Sequence, residues 1–324
     1  MTVRFSLQSP RLCEKFLLLV FCGLGCLSAE TLQDVLQKAN VPTQRFAASE
    51  LSAKITSYAN SDDDPFLLAY YLDSGSALLP PLRVIRYGRA TKDLRRADFR
   101  DVTALFQGVV SMNCLGSALE IREYHDTIFV DTHATPSAGC VIVLSSTLSF
   151  KAALSGWVLG LMGADYAILR QSEIHFMSVH PLHIGVFDVK KNRLIQVFPF
   201  EDDPQRRLYS DLIKPLISET WCKKFNAECN PENFDADPKG ELAMNETANV
   251  FGFEAEFKAS GFGEPAEKQI PPRSVFYIFR ARSGVWEHRE FSVDQFQGLS
   301  GGKSLQELIS TDPNRAFAAT SPAP

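Results

Sequence analysis

After residue 29 the sequence has no apolar run long enough to cross a bilayer as a helix without charges. It has no C-x-x-C pair, which removes the common zinc ribbons and fingers. It has no H-E-x-x-H, which removes the helical zinc-protease arrangement. It also lacks a surplus of positive charge. The formal net charge is −5, and the chain beyond residue 29 carries −7, because the first 29 residues hold Arg4, Arg11 and Lys15 against Glu14. That balance excludes general nucleic-acid binding. No Trp-Asp dipeptide recurs, so a repeat with that signature is excluded as well.

Two short motifs fail on inspection. Gly298-Leu299-Ser300-Gly301-Gly302 fits G-x-S-x-G, but no histidine follows Ser300 to complete a hydrolase triad. Gly302-Lys303-Ser304 resembles the end of a phosphate loop, but Gln297 stands where its first glycine belongs.

What is present begins with a targeting pattern. Arg4, Arg11 and Lys15 precede the apolar run Phe16–Leu27, and the small residues Ser28 and Ala29 follow. This is the order of a secretory signal peptide, predicted over residues 1–29. Lipid attachment at Cys26, which follows Gly25, is the alternative. Export puts the remaining cysteines in an oxidising compartment. Cys222 and Cys229 are expected to pair, and Cys114 with Cys140 across neighbouring strands, with buried free thiols as the other reading.

Residues 30–64 read as a helical lead-in. Leu32, Val35 and Leu36 keep helical spacing up to Pro42, and a second helix is expected from Ser49 through Leu51, Ile55 and Tyr58. Ser61-Asp62-Asp63-Asp64-Pro65 reads as a boundary. From Phe66 the period turns toward two. Phe66–Leu72, Leu82–Tyr87 and Leu94–Phe99 form a first group of strands.

The same order of strand, loop, strand, tight turn, strand recurs three times. It recurs over Thr127–Leu154 and over Tyr166–Phe198, where Lys190-Lys191-Asn192 is the turn. It recurs again over Val250–Phe291, where Ser283-Gly284 is the turn. Ala118–Tyr124, Trp157–Leu161 and Leu242–Met244 each add a strand ahead of a copy. The fold class is therefore all-β. Residues 65–296 form a propeller-like array of four four-stranded antiparallel meanders, with Val102–Met112 supplying a missing strand or else a fifth, degenerate blade. Radial stacking would cover the apolar faces, and 24 Phe supply flat side chains for the seams. A β-sandwich is the competing architecture. Residues 204–226 read as a helical insertion kinked at Pro215, and 297–324 as a short helix over Ser304–Ile309 with a disordered tail from Thr311.

The runs Val130-Asp131-Thr132-His133, Pro136-Ser137-Ala138-Gly139-Cys140 and His175-Phe176-Met177-Ser178-Val179-His180-Pro181 resemble those of uncharacterised exported bacterial proteins with propeller-like repeats. The resemblance, over about residues 65–295, implies the fold and the exported location. It implies no activity.

Chemistry-bearing residues are few. Asp131, His133, His175, His180 and His183 are the candidate catalytic or zinc-binding set, if neighbouring blades bring them together. Asp131, Asp165, Glu173 and Asn245 are the oxygen set that calcium would take. Histidines bonded to backbone carbonyls, and acids in turns, are the structural readings of both. Ser137 near His133 is a nucleophile only if the turn is not simply structural. Arg83, Arg86, Arg89, Lys92, Arg95, Arg96 and Arg100 form a basic stripe, offset by Asp93 and Asp98, for an anionic polysaccharide or lipid headgroup, or else a solvated edge. The functional expectation is an exported binding or scaffold module for a carbohydrate or another envelope protein. The alternative is a metal-dependent hydrolase or lyase using the His/Asp set.

Overall fold

The computed structural model describes residues 30–73, 82–99, 106–107, 118–135, 138–163, 165–171, 183–198, 234–259 and 273–318. Residues 1–29, Cys26 among them, and the proposed insertion at 204–226 lie outside that set. Among the described residues no helix is long and apolar enough to cross a membrane.

The chain opens with α1, Leu32–Lys38. Thr31 Oγ1 accepts from the Asp34 amide while Asp34 Oδ2 accepts from the Thr31 amide, a reciprocal cap. A 3-10 turn at Thr43–Arg45 and a single helical turn, α2, Ala48–Leu51, follow. The expected second helix stops there. Ile55–Ser61 is strand β1, with burial alternating along it. Ile55 and Tyr58 do stand at helical spacing, but pairing with the next strand decides the conformation. Asp62–Pro65, read as a boundary, is only the turn into that strand.

Sixteen further strands follow. Sheet 1 adds β2 (Phe66–Leu72), β3 (Leu82–Tyr87) and β4 (Leu94–Phe99) to β1. Sheet 2 holds β5 (Phe106–Gln107), β6 (Ala118–Tyr124), β7 (Thr127–Thr135), β8 (Ala138–Ser145) and β9 (Phe150–Ser155). Sheet 3 holds β10 (Trp157–Met162), β11 (Tyr166–Gln171), β12 (His183–Asp188) and β13 (Arg193–Phe198). Sheet 4 holds β14 (Phe234–Asn245), β15 (Val250–Ala259), β16 (Arg273–Arg282) and β17 (Val285–Ser292). Each is an antiparallel meander, as the repeated pattern predicts. Of the segment read as a missing strand or a fifth blade, the described residues give the strand: β5, a parallel edge strand beside β9.

Alternation of side chains stacks the sheets. On β2, Leu67, Ala69 and Tyr71 face sheet 2, while Phe66, Leu68 and Tyr70 face the N-terminal helices. Burial on both faces is why β2 reads as an unbroken apolar run. Phe129, Val141 and Leu154 meet Val158, Leu169 and Phe187 between sheets 2 and 3. Between sheets 3 and 4, Phe198, Phe251, Phe253, Tyr277 and Phe279 build an aromatic seam, with Phe251 and Phe279 stacked at 4.7 Å.

The two outermost faces meet helices, not each other, among the described residues. Leu32, Val35, Leu36 and Phe46 cover sheet 1. Three helices cover sheet 4: α3 (Val293–Ser300), α4 (Leu305–Thr311) and α5 (Arg315–Ala318). The propeller-like array is thus an open one, closed off at each end by a helical cap. The tail residues expected to be disordered from Thr311 include α5, whose Ala316 is buried. The rejected G-x-S-x-G is the end of α3, with Gly301 in the left-handed conformation at φ 63°. Ser304 of the rejected phosphate-loop match caps α4 through Glu307.

Candidate functional site

Four strands per meander put each sheet's entry and exit at the same end. The first–second and third–fourth turns lie at the other end. Those turns are tight and tied together. Arg89 N donates to Asp64 Oδ1 at 3.1 Å in sheet 1. Lys190 and Asp165 pair at 2.7 Å in sheet 3, and Asn192 Nδ2 donates to Lys151 O at 2.8 Å between sheets 3 and 2. Ser283 and Gly284, at φ 53° and 78°, form the primed turn that suits a twisted hairpin. At the opposite end lie the strand ends that flank every second–third connection and every crossing between sheets. Those connections are 74–81, 100–117, 136–137, 172–182, 199–233 and 260–272, together with Gly156.

The loop end of sheets 2 and 3 carries the candidate residues. Asp131 stands in β7 opposite Glu120 in β6 and Val141 in β8. Its alternation places it on the face of Phe129, toward sheet 3. It is 1% exposed. Its Oδ2 accepts from Val158 N at 3.3 Å and lies 4.0 Å from Arg122 Nη2. Arg122 Nη1 donates to Val158 O at 3.0 Å, and Glu120 holds the guanidinium at 2.8 Å. The two side chains of sheet 2 thus grip both backbone polar groups of one residue in β10. Asp131 Oδ1 has no hydrogen-bond partner among the described residues.

Burial pushes the Asp131 carboxyl up to about 7. Arg122 pulls it down, Glu120 pushes it up, and the Val158 amide pulls it down, each by less than burial does. A carboxyl poised near neutrality can exchange a proton at physiological pH. Its described neighbours are Arg122, Glu120 and the Val158 backbone, and its visible work is to clasp two sheets.

The other predicted residues do not assemble around it within the described set. His133 is two residues along β7, in register with Ala118 and Gly139. His183 opens β12 and pairs in register with Gln171. His175 and His180 lie outside the described residues, in the segment that joins β11 to β12 at this end. Glu173 and Ser137 lie outside them too. Among the described residues no group of three or more His, Cys, Asp and Glu is placed to hold a metal ion. The oxygen set is split between the ends. Asp165 pairs with Lys190 at the turn end, and Asn245 bonds Ile309 O and the Ala248 amide there. Cys140, fully buried in β8, is disulfide-bonded. Cys114, Cys222 and Cys229 lie outside the described residues.

The basic stripe is not one surface. Arg86 faces sheet 2 and pairs with Glu123 at 2.6 Å. Arg89 donates to Asp62 O and Asp63 O, and Arg95 pairs with Asp93. Arg83 and Arg96 point to the N-terminal cap and meet Glu50. Arg100 lies outside the described residues. Sequence reasoning missed the Arg122–Asp131 pair. The two-residue turn at His125-Asp126 sets the β6–β7 register and would have placed both side chains on one face.

The chain matches no protein-family model and no curated protein.

Proposed function

We propose that this protein is an exported binding or scaffold module that engages its partner through the loop end. The observation that carries this reading is the sidedness of the connections. Every connection longer than six residues joins strand ends at one end of the sheets, and the other end is closed by tied, tight turns. Loops held by a rigid stack are where binding residues concentrate. The stack is rigid because three apolar seams join its sheets and a helical cap packs on each outermost face. The partner class is a carbohydrate or an envelope protein, and the signal-like pattern in residues 1–29 is consistent with that setting. A Cys114–Cys140 bridge would tie the 100–117 crossing to sheet 2 at the binding end.

The test is co-sedimentation of the purified chain with insoluble envelope polysaccharide, and separately with vesicles carrying detergent-extracted envelope protein. Replacing 172–182 and 260–272 by short Gly-Ser linkers should abolish retention. Ala90→Glu and Val285→Lys at the turn end should leave it intact. Equal retention of the loop-replaced and parent chains would defeat the proposal.

A further inference from the structure

The N-terminal cap covers sheet 1 unevenly. At α2 the cap meets β3 and β4 through Glu50, which pairs with Arg83 and Arg96. A cavity of about 570 Å3 opens there, lined by Ser49, Glu50, Tyr70, Arg83, Arg96 and Asp98 among others. That volume lies within the range of small-molecule sites, about 300–1,000 Å3.

The wall is a row of alternating charge. Asp98 Oδ1 lies 3.4 Å from Arg83 Nε, Arg83 Nη1 lies 3.7 Å from Glu50 Oε1, and Glu50 Oε2 lies 3.2 Å from Arg96 Nη1. Tyr70 Oη donates to Glu50 Oε1 at 3.4 Å. Arg96 is fixed from behind, stacked 4.0 Å over Phe46 and bonded to Arg45 O. Arg83 Nε is enclosed, off alignment with Asp98, and has no hydrogen-bond acceptor among the described residues.

Two guanidiniums and two carboxylates sum to zero, and this selects the ligand. An incoming anion meets Glu50 and Asp98, and an incoming cation meets Arg83 and Arg96, so either must break existing pairs. A hydroxyl group does neither. It accepts from a guanidinium and donates to a carboxylate at once, and several on one ring can follow the alternating row. We propose that this cavity is a binding site for a neutral saccharide, seated between α2 and the loop-end halves of β3 and β4. The site goes beyond the loop-end reading. It lies on the flank of sheet 1, and its occupancy is measured without the envelope partner.

The experiment is calorimetric and ligand-detected NMR titration of the full chain. The probes are neutral hexoses, N-acetylhexosamines and their disaccharides, beside galacturonate as the anion and glycine betaine as the zwitterion. At least one neutral sugar should bind, and neither charged probe should bind as well. Arg83→Gln should weaken that binding about tenfold or more. Ser49→Trp, which fills the mouth from an exposed position without touching the charge row, should do the same with an unchanged far-UV spectrum and melting temperature. No binding by any neutral sugar, tighter binding of a charged probe, or neutral-sugar binding indifferent to both substitutions would overturn the proposal.

Discussion

Replacing Asp131 by Asn should remove a specific pH dependence of stability. The carboxyl is 1% exposed and held at about 7 in the folded chain, against 3.8 for a solvated Asp. Between those values the folded state keeps a proton that the unfolded chain has released. Stability from this group is therefore fully present below about pH 4. It falls as pH rises toward 7 and then levels off. The gap of about 3 pH units corresponds to about 4 kcal/mol at most, at 1.36 kcal/mol per unit. Asn keeps the acceptor for the Val158 amide and carries no proton equilibrium. Urea denaturation of both proteins at intervals from pH 4 to pH 8 isolates the effect, because other titrating groups cancel in the difference. The parent and the variant should be nearly equal at pH 4, and the variant should gain about 2–4 kcal/mol relative to the parent by pH 8. A flat difference over the whole range would show that Asp131 is ionised throughout, and that the clasp is an ordinary ion pair with Arg122.

Two further outcomes follow from the packing, and a third measurement bears on function. Gly252 approaches β16 so closely that an added Cβ would lie 2.8 Å from Tyr277 O and 3.0 Å from Ile309 Cδ1. Gly252→Ala should therefore cost about 1–3 kcal/mol in denaturant melts, with the helical cap loosening on sheet 4. Ser304→Ala removes the side chain that accepts from the Glu307 amide and should cost about 1 kcal/mol, read the same way. Elemental analysis of the purified protein separates the two functional readings. Stoichiometric zinc that His133→Ala removes without unfolding would support the metal-dependent hydrolase or lyase reading through Asp131, His133, His175, His180 and His183.

The architecture was legible because both-face burial writes itself into strands as apolar runs. Phe66–Leu72, Leu82–Tyr87, Leu94–Phe99 and Ala118–Tyr124 stand in the structure with the bounds their sequence suggests. The errors sit where two periods overlap or where a tertiary contact decides. Ile55 and Tyr58 fit a helix by spacing, yet β1 forms because β2 offers it a ladder. That strand supplies the missing member of the first repeat. α3 was hidden because Val293–Ser300 has only one fully buried apolar side chain, Phe296, which stacks on Phe276. α5 follows a run of small and polar residues. It is seated by Arg280, whose guanidinium lies 4.1 Å over the Phe317 ring.

At the candidate site, Asp131 stood out in sequence for its nearness to His133. Its true neighbours are Arg122 and the Val158 backbone, which a hairpin register and a stacking order bring together. Of the charge row at Glu50, Arg83, Arg96 and Asp98, the sequence reading had the basic stripe and its offset by Asp98, but not Glu50. The acid that divides it comes from a helix that folds back over the sheet.

The open, capped stack is tested most directly by the distance between its first and last sheets. Spin labels at Ala90→Cys in the β3–β4 turn and Val285→Cys beside the β16–β17 turn report it by pulsed electron paramagnetic resonance. Three sheet spacings of about 10 Å predict a backbone separation of about 30 Å. A separation near one spacing, about 10 Å, would mean that sheets 1 and 4 are neighbours in a closed ring, with the helical caps displaced from the faces assigned to them.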